Sequence, residues 1–151
     1  MLDRISHVGV IVHDHTQALG FWRDVLGLKQ FAEAEIAVEG IRSVFLSASG
    51  EPGEMTIELM EPLDKSDMNN AVARRLAQNG EGIYHLCVVV DDIPKSTERM
   101  KALGMPLLER APVEDGVPGR WLVHPKAANG VMVEGIEEWS GTGLAGRGPK
   151  T

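Results

Sequence analysis

The sequence predicts an α+β fold of two tandem modules, each a strand, a helix and three further strands. One observation is an approximate internal repeat. His85 follows His7 by 78 residues, Asp92 follows Asp14 by 78, Leu103-Gly104 follows Leu26-Gly27 by 77, and Glu134 follows Glu58 by 76. Two copies at a near-constant offset describe a duplicated unit, not a solenoid. The other observation is phase. His7, Glu58, His85 and Glu134 lie in short apolar stretches at 5–12, 55–60, 83–90 and 131–136. Successive strand side chains point to opposite faces, so His7 stands opposite Val8, Val10 and Val12, and His85 opposite Leu86, Val88 and Val90. Glu58 and Glu134 are in the same relation to Ile57, Leu59, Val131 and Val133. One face packs; the other carries a ligand.

The elements follow in order. The first strand runs over about 4–12, and Asp14 is placed to cap the next helix, with Gln17 three residues on. Ala18, Leu19, Phe21, Trp22, Val25 and Leu26 give that helix a broad apolar stripe, and Gly27 ends it. Residues 28–38 and 41–48 read as strands meeting near Glu39-Gly40. Gly50-Glu51-Pro52-Gly53 is a turn before a fourth strand at 54–61. A linker at about 62–80 holds a short helix at about 70–78. The second half repeats the plan. It has a strand at 83–90, a helix with Pro94 in its first turn and Gly104 after its end, and strands at 106–110, 120–124 and 131–136. The 151 residues read as one domain, 1–151, with module one at about 4–61 and module two at about 81–137. A glycine-rich tail from about 138 to 151 is expected to be mobile by itself.

Composition narrows the function. An apolar content of 43% supports a sizeable core. A net charge of −7 disfavours nucleic acid as a partner, since such proteins present basic patches. The single Cys87 excludes an internal disulfide and suits a reducing compartment. No apolar run reaches about 18 residues, so no membrane span is expected. The start Met-Leu-Asp-Arg lacks a signal-peptide pattern, and a cytoplasmic protein is expected.

The four inward residues point to a metal. Buried carboxylates need a partner, and a divalent ion supplies one. Two imidazole nitrogens and two carboxylate oxygens suit Zn, Mn, Fe, Co or Ni without choosing among them. His13, His15, His124 and Cys87 rank below them as ligands, and Met60 and Met132 read as apolar cavity wall. Most of the cations, including Arg74, Arg75, Arg120 and Lys126, read as solvated charge, although an anionic ligand would require some of them.

These residues resemble the vicinal oxygen chelate superfamily, the glyoxalase fold, and within it the methylmalonyl-CoA epimerases, over roughly residues 4–136. The matching segments are Ile5-Ser6-His7-Val8-Gly9-Val10, Ile57-Glu58-Leu59-Met60-Glu61-Pro62, Asn79-Gly80-Glu81-Gly82-Ile83-Tyr84-His85, Val90-Asp91-Asp92-Ile93 and His124-Pro125-Lys126 with Asn129-Gly130-Val131-Met132-Val133-Glu134. Glu58 stands where some epimerases have Gln, and Tyr84 where a second His usually precedes the ligand. Ser43 stands where some carry a further Glu as second base, and Gly135 where an apolar residue is common.

The resemblance implies two βαβββ modules sharing a curved sheet around a central metal cavity. It implies one divalent ion per chain (Co, Zn, Mn, Ni, Fe or Mg) on His7, Glu58, His85 and Glu134. The implied reaction moves the α-proton of a 2-substituted malonyl-CoA thioester, most notably methylmalonyl-CoA, through a metal-stabilised enolate. Glu134 is the implied base, with Glu58 at the pseudo-symmetric place facing the other side. Arg120, Lys126 and Arg75 are candidates for the coenzyme A phosphates. The implied partners are an acyl-CoA-type substrate and a second copy in a homodimer, with neither nucleic acid nor membrane. The rivals are a glyoxalase I-like lyase, whose ligand set of two His and two Glu this chain matches, another isomerase or a dioxygenase of the superfamily, and a non-enzymatic binder.

Overall fold

The computed structural model describes residues 2–112, 115 and 118–137, so the expected tail at 138–151 lies outside the described residues. Strand β1 (Leu2–Ile11) leads into helix α1 (His15–Trp22), capped as expected by Asp14, whose Oδ1 accepts the Gln17 N–H at 2.9 Å. The helix is shorter than its apolar stripe suggested. Past Trp22 the chain closes in widened turns, Asp24 N–H to Leu19 O and Leu26 N–H to Phe21 O, which leave Val25 and Leu26 exposed. Strand β2 (Lys29–Ile36) stops short of the expected 38, because residues Ala37–Glu39 form a 3-10 turn. Gly40 closes that turn at φ 63°, a left-handed conformation in which a Cβ is strained. Strands β3 (Ile41–Ser47) and β4 (Thr56–Pro62) complete the first half.

Helix α2 (Ala71–Asn79) is tied at its start by Asn70. Asn70 Oδ1 accepts the Ala73 N–H at 2.9 Å, and its Nδ2 donates to Glu39 O at 2.7 Å. One side chain therefore caps the helix and pins the 3-10 turn that carries Glu39. The second half follows as β5 (Gly82–Val90), α3 (Ile93–Ala102), β6 (Leu107–Arg110), β7 (Arg120–Val123) and β8 (Met132–Ile136).

The eight strands form one mixed sheet in the order β2-β3-β4-β1-β5-β8-β7-β6. The central strands β1 and β5 are antiparallel, and each has a parallel neighbour, β4 or β8. The outer strands repeat the same antiparallel ladder on both sides. The strand order is that of the two-module α+β fold, with a pseudo-twofold axis between β1 and β5.

The two faces of the sheet do different work. On one, Val10, Val12, Val44, Leu46 and Leu59 pack under Ala18, Leu19 and Trp22 of α1. Val88, Val90, Trp121 and Val123 pack with Ile93 and Met100 of α3 in the same way. Fully buried Leu46 and Leu59 each contribute about 1.5–3 kcal/mol to that packing. The other face carries His7, Glu58, His85 and Glu134, all buried, and beside them α2 seals Ile11, Ile41 and Met60 with Val72 and Leu76.

Candidate metal centre and cavity

Strand register sets the site. Two rows of paired residues cross the sheet. One row runs Phe45, Glu58, Gly9, His85, Met132; the other runs Thr56, His7, Cys87, Glu134, Leu122. The pseudo-twofold axis exchanges the rows, Glu58 with Glu134 and His85 with His7. The four ligands predicted from sequence phase therefore meet at the seam between the halves. His7 Nε2 lies 3.1 Å from His85 Nε2. Glu58 Oε2 lies 3.2 Å from the former and 3.3 Å from the latter. Glu134 Oε2 is 3.9 Å from His85 Nε2.

The spacings among His7, Glu58 and His85 fit a metal ion, and Glu134 stands slightly wider. Bonds of about 2.0–2.2 Å give edges of roughly 3.0–3.5 Å between adjacent ligand atoms. The donor set, two imidazoles and two carboxylates, is that of a divalent ion; the ligand atoms of His7, Glu58 and His85 all lie within 4.8 Å of one another, and His7 forms a second such group with Cys87 and Glu134. The surrounding hydrogen bonds favour ligation too. Ser6 Oγ is 3.0 Å from His7 Nδ1; with that nitrogen protonated it donates to Ser6 and leaves Nε2 as the ligand. Ser43 Oγ donates to Glu58 Oε1 at 2.8 Å, leaving Oε2 toward the histidines.

Electrostatics agree. Burial opposes ionisation of Glu58, but hydrogen bonds and charge from His7 and His85 outweigh it and hold the carboxyl well below 4.5. Burial likewise disfavours protonation of His85, yet the Glu58 hydrogen bond and the charges of Glu58 and Glu134 raise it above 6.5. Both shifts favour the charged forms of His85 and Glu58 in the metal-free site, and a cation would compete with the His85 proton for that place.

Sequence reasoning missed several contributors. Gly9 is the first: a Cβ there would sit 2.2 Å from His85 Cε1, so the ring crosses the seam only because position 9 has no side chain. Its pseudo-symmetric counterpart, Cys87, does carry a side chain, with Sγ 3.8 Å from Glu134 Oε1. Glu39 is another, reaching Arg120 Nη2 from the 3-10 turn. The glycine two residues after the ligand His was a usable signal for the first; nothing local marked the second.

The site opens into a cavity of about 780 Å³. Phe45, Met60, Leu122 and Met132 line it, as do Tyr84 and His124. Arg75 lines it as well, with the exposed Arg74 and Arg110. The other expected phosphate ligands are placed differently. Arg120 is buried beside Glu134, with Nη1 3.7 Å from Oε2. Lys126 is in the 3-10 turn Pro125–Ala127 and is not among the lining residues. His15 is structural, its Nε2–H donating to Leu59 O at 2.9 Å. His13 is exposed.

A duplicated mixed sheet holding two histidines and two carboxylates at its seam defines a class of protein, and comparison with known sequences agrees. Residues 6–121 match the family model of the Glyoxalase/Bleomycin resistance protein/Dioxygenase superfamily, and the chain belongs to it. Within that superfamily it resembles methylmalonyl-CoA epimerases. It is 30% identical over 137 residues to the ethylmalonyl-CoA/methylmalonyl-CoA epimerase of Cereibacter sphaeroides, covering 89% of this chain and 97% of that protein. The crystal structure of methylmalonyl-CoA epimerase from Mycobacterium tuberculosis superposes with a TM-score of 0.77 at 29% identity, covering 90% of this chain and 88% of that one. A methylmalonyl-CoA epimerase in complex with methylmalonyl-CoA and NH4+ superposes at 0.79 and 26% identity, covering 91% and 95%. No helix among the described residues is long and apolar enough to cross a membrane.

Proposed function

We propose that this chain is a metal-dependent epimerase that moves the α-proton of a 2-substituted malonyl-CoA thioester, with methylmalonyl-CoA the favoured substrate. The observation that carries the reading is the pseudo-symmetric pair of carboxylates, Glu58 and Glu134, flanking two histidines at the foot of a large cavity. Similarity to epimerases, one of them in complex with methylmalonyl-CoA, supports it.

His7, Glu58, His85 and Glu134 would hold the ion. When bound, a divalent ion supplies positive charge where the enolate oxygen develops its negative charge. The chain's own groups do the rest. A Glu134 carboxylate oxygen takes the α-proton from one side. Glu58 stands at the pseudo-equivalent place on the other side and is the candidate to return a proton there. Ser43, at the position of a second base in some epimerases, instead orients Glu58 by hydrogen bond. Phe45, Leu122 and Met132 keep the reacting end apolar. Arg75, joined on the cavity wall by Arg74 and Arg110, would bind the coenzyme A phosphates. Cytoplasmic residence and a homodimer complete the reading. Phe21, Val25 and Leu26 leave apolar surface exposed on and after α1 for a second copy, and a sedimentation mass of one chain at micromolar concentration would remove the dimer.

The test is deuterium uptake from D₂O at the α-carbon of methylmalonyl-CoA. Glu134→Gln keeps an oxygen for the ion but cannot take a proton, so exchange falls by about 10²–10⁴-fold while metal content falls far less. Equal uptake by wild type and variant removes Glu134 from the chemistry. No uptake by wild type, with turnover of a glutathione hemithioacetal instead, moves the chain to the glyoxalase reading that its two-His, two-Glu set also matches.

A further inference from the structure

Arg120 is the cation the reading above leaves without work at the mouth of the cavity. It rises from β7 on the metal-bearing face, is 8% exposed and lines the cavity. Its Nη2 donates to Glu39, its Nη1 stands 3.7 Å from Glu134 Oε2, and its Nε has no hydrogen-bond partner. A desolvated guanidinium is retained where its charge and its planar fork have a use. Neither contact uses the fork fully: the Glu134 approach is too long for a hydrogen bond, and Glu39 takes one nitrogen only.

The charge balance of the cavity shows what the use is. Three carboxylates line it, Glu39, Glu58 and Glu134; of the four arginines among the described residues that also line it, Arg74 and Arg110 are exposed and Arg75 is half-buried, so Arg120 is the buried cation beside the carboxylates. A divalent ion leaves the set one charge short of neutral, and Arg120 supplies that charge within reach of Glu134. We infer that Arg120 forms a carboxylate subsite at the reacting end, binding the free carboxylate of the substrate and selecting thioesters that bear one. This rests on the epimerase reading and deepens it. The malonyl carboxylate takes donors of Arg120 that Glu39 and Glu134 leave unused, and Glu39 remains as the counterion that holds the guanidinium in place between turnovers. Arg120 is thus a specificity-determining residue and not a ligand of the distant phosphates.

The experiment is calorimetric titration of Co(II)-loaded protein with malonyl-CoA and with isovaleryl-CoA, which replaces the carboxylate by an uncharged group of the same shape. Metal content is measured alongside. Wild type should bind malonyl-CoA the more tightly. Arg120→Met should weaken malonyl-CoA by about 10–100-fold, the size of a lost charge-assisted hydrogen-bond pair, and leave isovaleryl-CoA within about twofold. Arg120→Lys should fall between. If Arg120→Met loses metal because Glu39 is left unpaired, the double variant Arg120→Met with Glu39→Gln carries the same comparison. A parallel fall for both esters makes Arg120 a structural counterion and overturns the inference, as does an unchanged preference for malonyl-CoA; both leave the epimerase reading standing. Metal-loaded wild type that binds neither ester overturns the two together.

Discussion

Replacing Gly9 by Ala adds one methyl group, and the structure says where it goes. An ideal Cβ at position 9 lies 2.2 Å from His85 Cε1, 2.3 Å from Nδ1 and 3.0 Å from Nε2. Carbon contacts begin near 3.5 Å, so the overlap is about 1.3 Å, beyond what small shifts absorb. Two responses are open. If β1 and β5 part, the central strand pair is strained by about 1–3 kcal/mol, the usual penalty of overpacking. If the imidazole swings away, Nε2 leaves its place 3.1 Å from His7 Nε2 and the site loses a ligand. Loss of an outer hydrogen bond at a metal site typically lowers affinity 10–100-fold; loss of a ligand should exceed that, at least about 10²-fold or roughly 2.7 kcal/mol. Competition against a chromophoric chelator measures the affinity, and thermal melting of the metal-free protein measures the strain. Gly20→Ala is the control, because a Cβ in α1 meets nothing within 4 Å, and it should be neutral to slightly stabilising. Wild-type metal affinity and melting temperature in Gly9→Ala would refute the reasoning.

Other substitutions probe the surroundings. Gly135→Ala drives a Cβ to 2.2 Å from the Trp121 ring and should destabilise the fold by about 1–3 kcal/mol in urea titration, with altered tryptophan fluorescence. Ser43→Ala removes the donor to Glu58 Oε1 and should lower metal affinity about 10–100-fold without unfolding the chain, as chelator competition would show. Metal uptake should release a proton from His85 below its raised pKa, so affinity should climb with pH and level off above that point; calorimetry in buffers of different ionisation enthalpy counts the proton. In the metal-free protein the same shift stabilises the fold below pH 6.5 and is lost as pH rises through the raised pKa. The Glu58 shift stabilises above pH 4.5 and is lost as pH falls through the depressed one.

Much of the fold, and the gathering of His7, Glu58, His85 and Glu134 on one face, was legible because both depend on periodicity. Alternation along 5–12 and 83–90 assigns His7 and His85 to one face, and a repeat offset needs no knowledge of contacts. What escaped depends on register and depth. Gly9 matters through the diagonal at which β1 passes β5, and that pairing carries irregularities that no local pattern announces. Arg120 and Glu39 are 81 residues apart, and charge alone does not tell a buried guanidinium from a solvated one. The apolar residues after Trp22 suggested a longer helix because a stripe marks surface that prefers cover, not where the backbone turns. Gly135, odd beside an apolar expectation, becomes intelligible opposite Trp121, whose indole occupies the missing side chain's space and donates to Ser96 Oγ at 2.9 Å.

The seam also sets a timetable for the nascent chain. His7 and Glu58 emerge from the ribosome first and bring only half of the candidate ligand set. His85 follows His7 by 78 residues, roughly 4–16 s of synthesis at 5–20 residues per second. Until Glu134 follows, the first half must stay soluble on its own packing under α1, with the unpaired edge of β1 waiting for β5. A tightly held ion would therefore mark chains whose two halves have met, and limitation for metal would be felt by finished molecules while those still being made are indifferent to it.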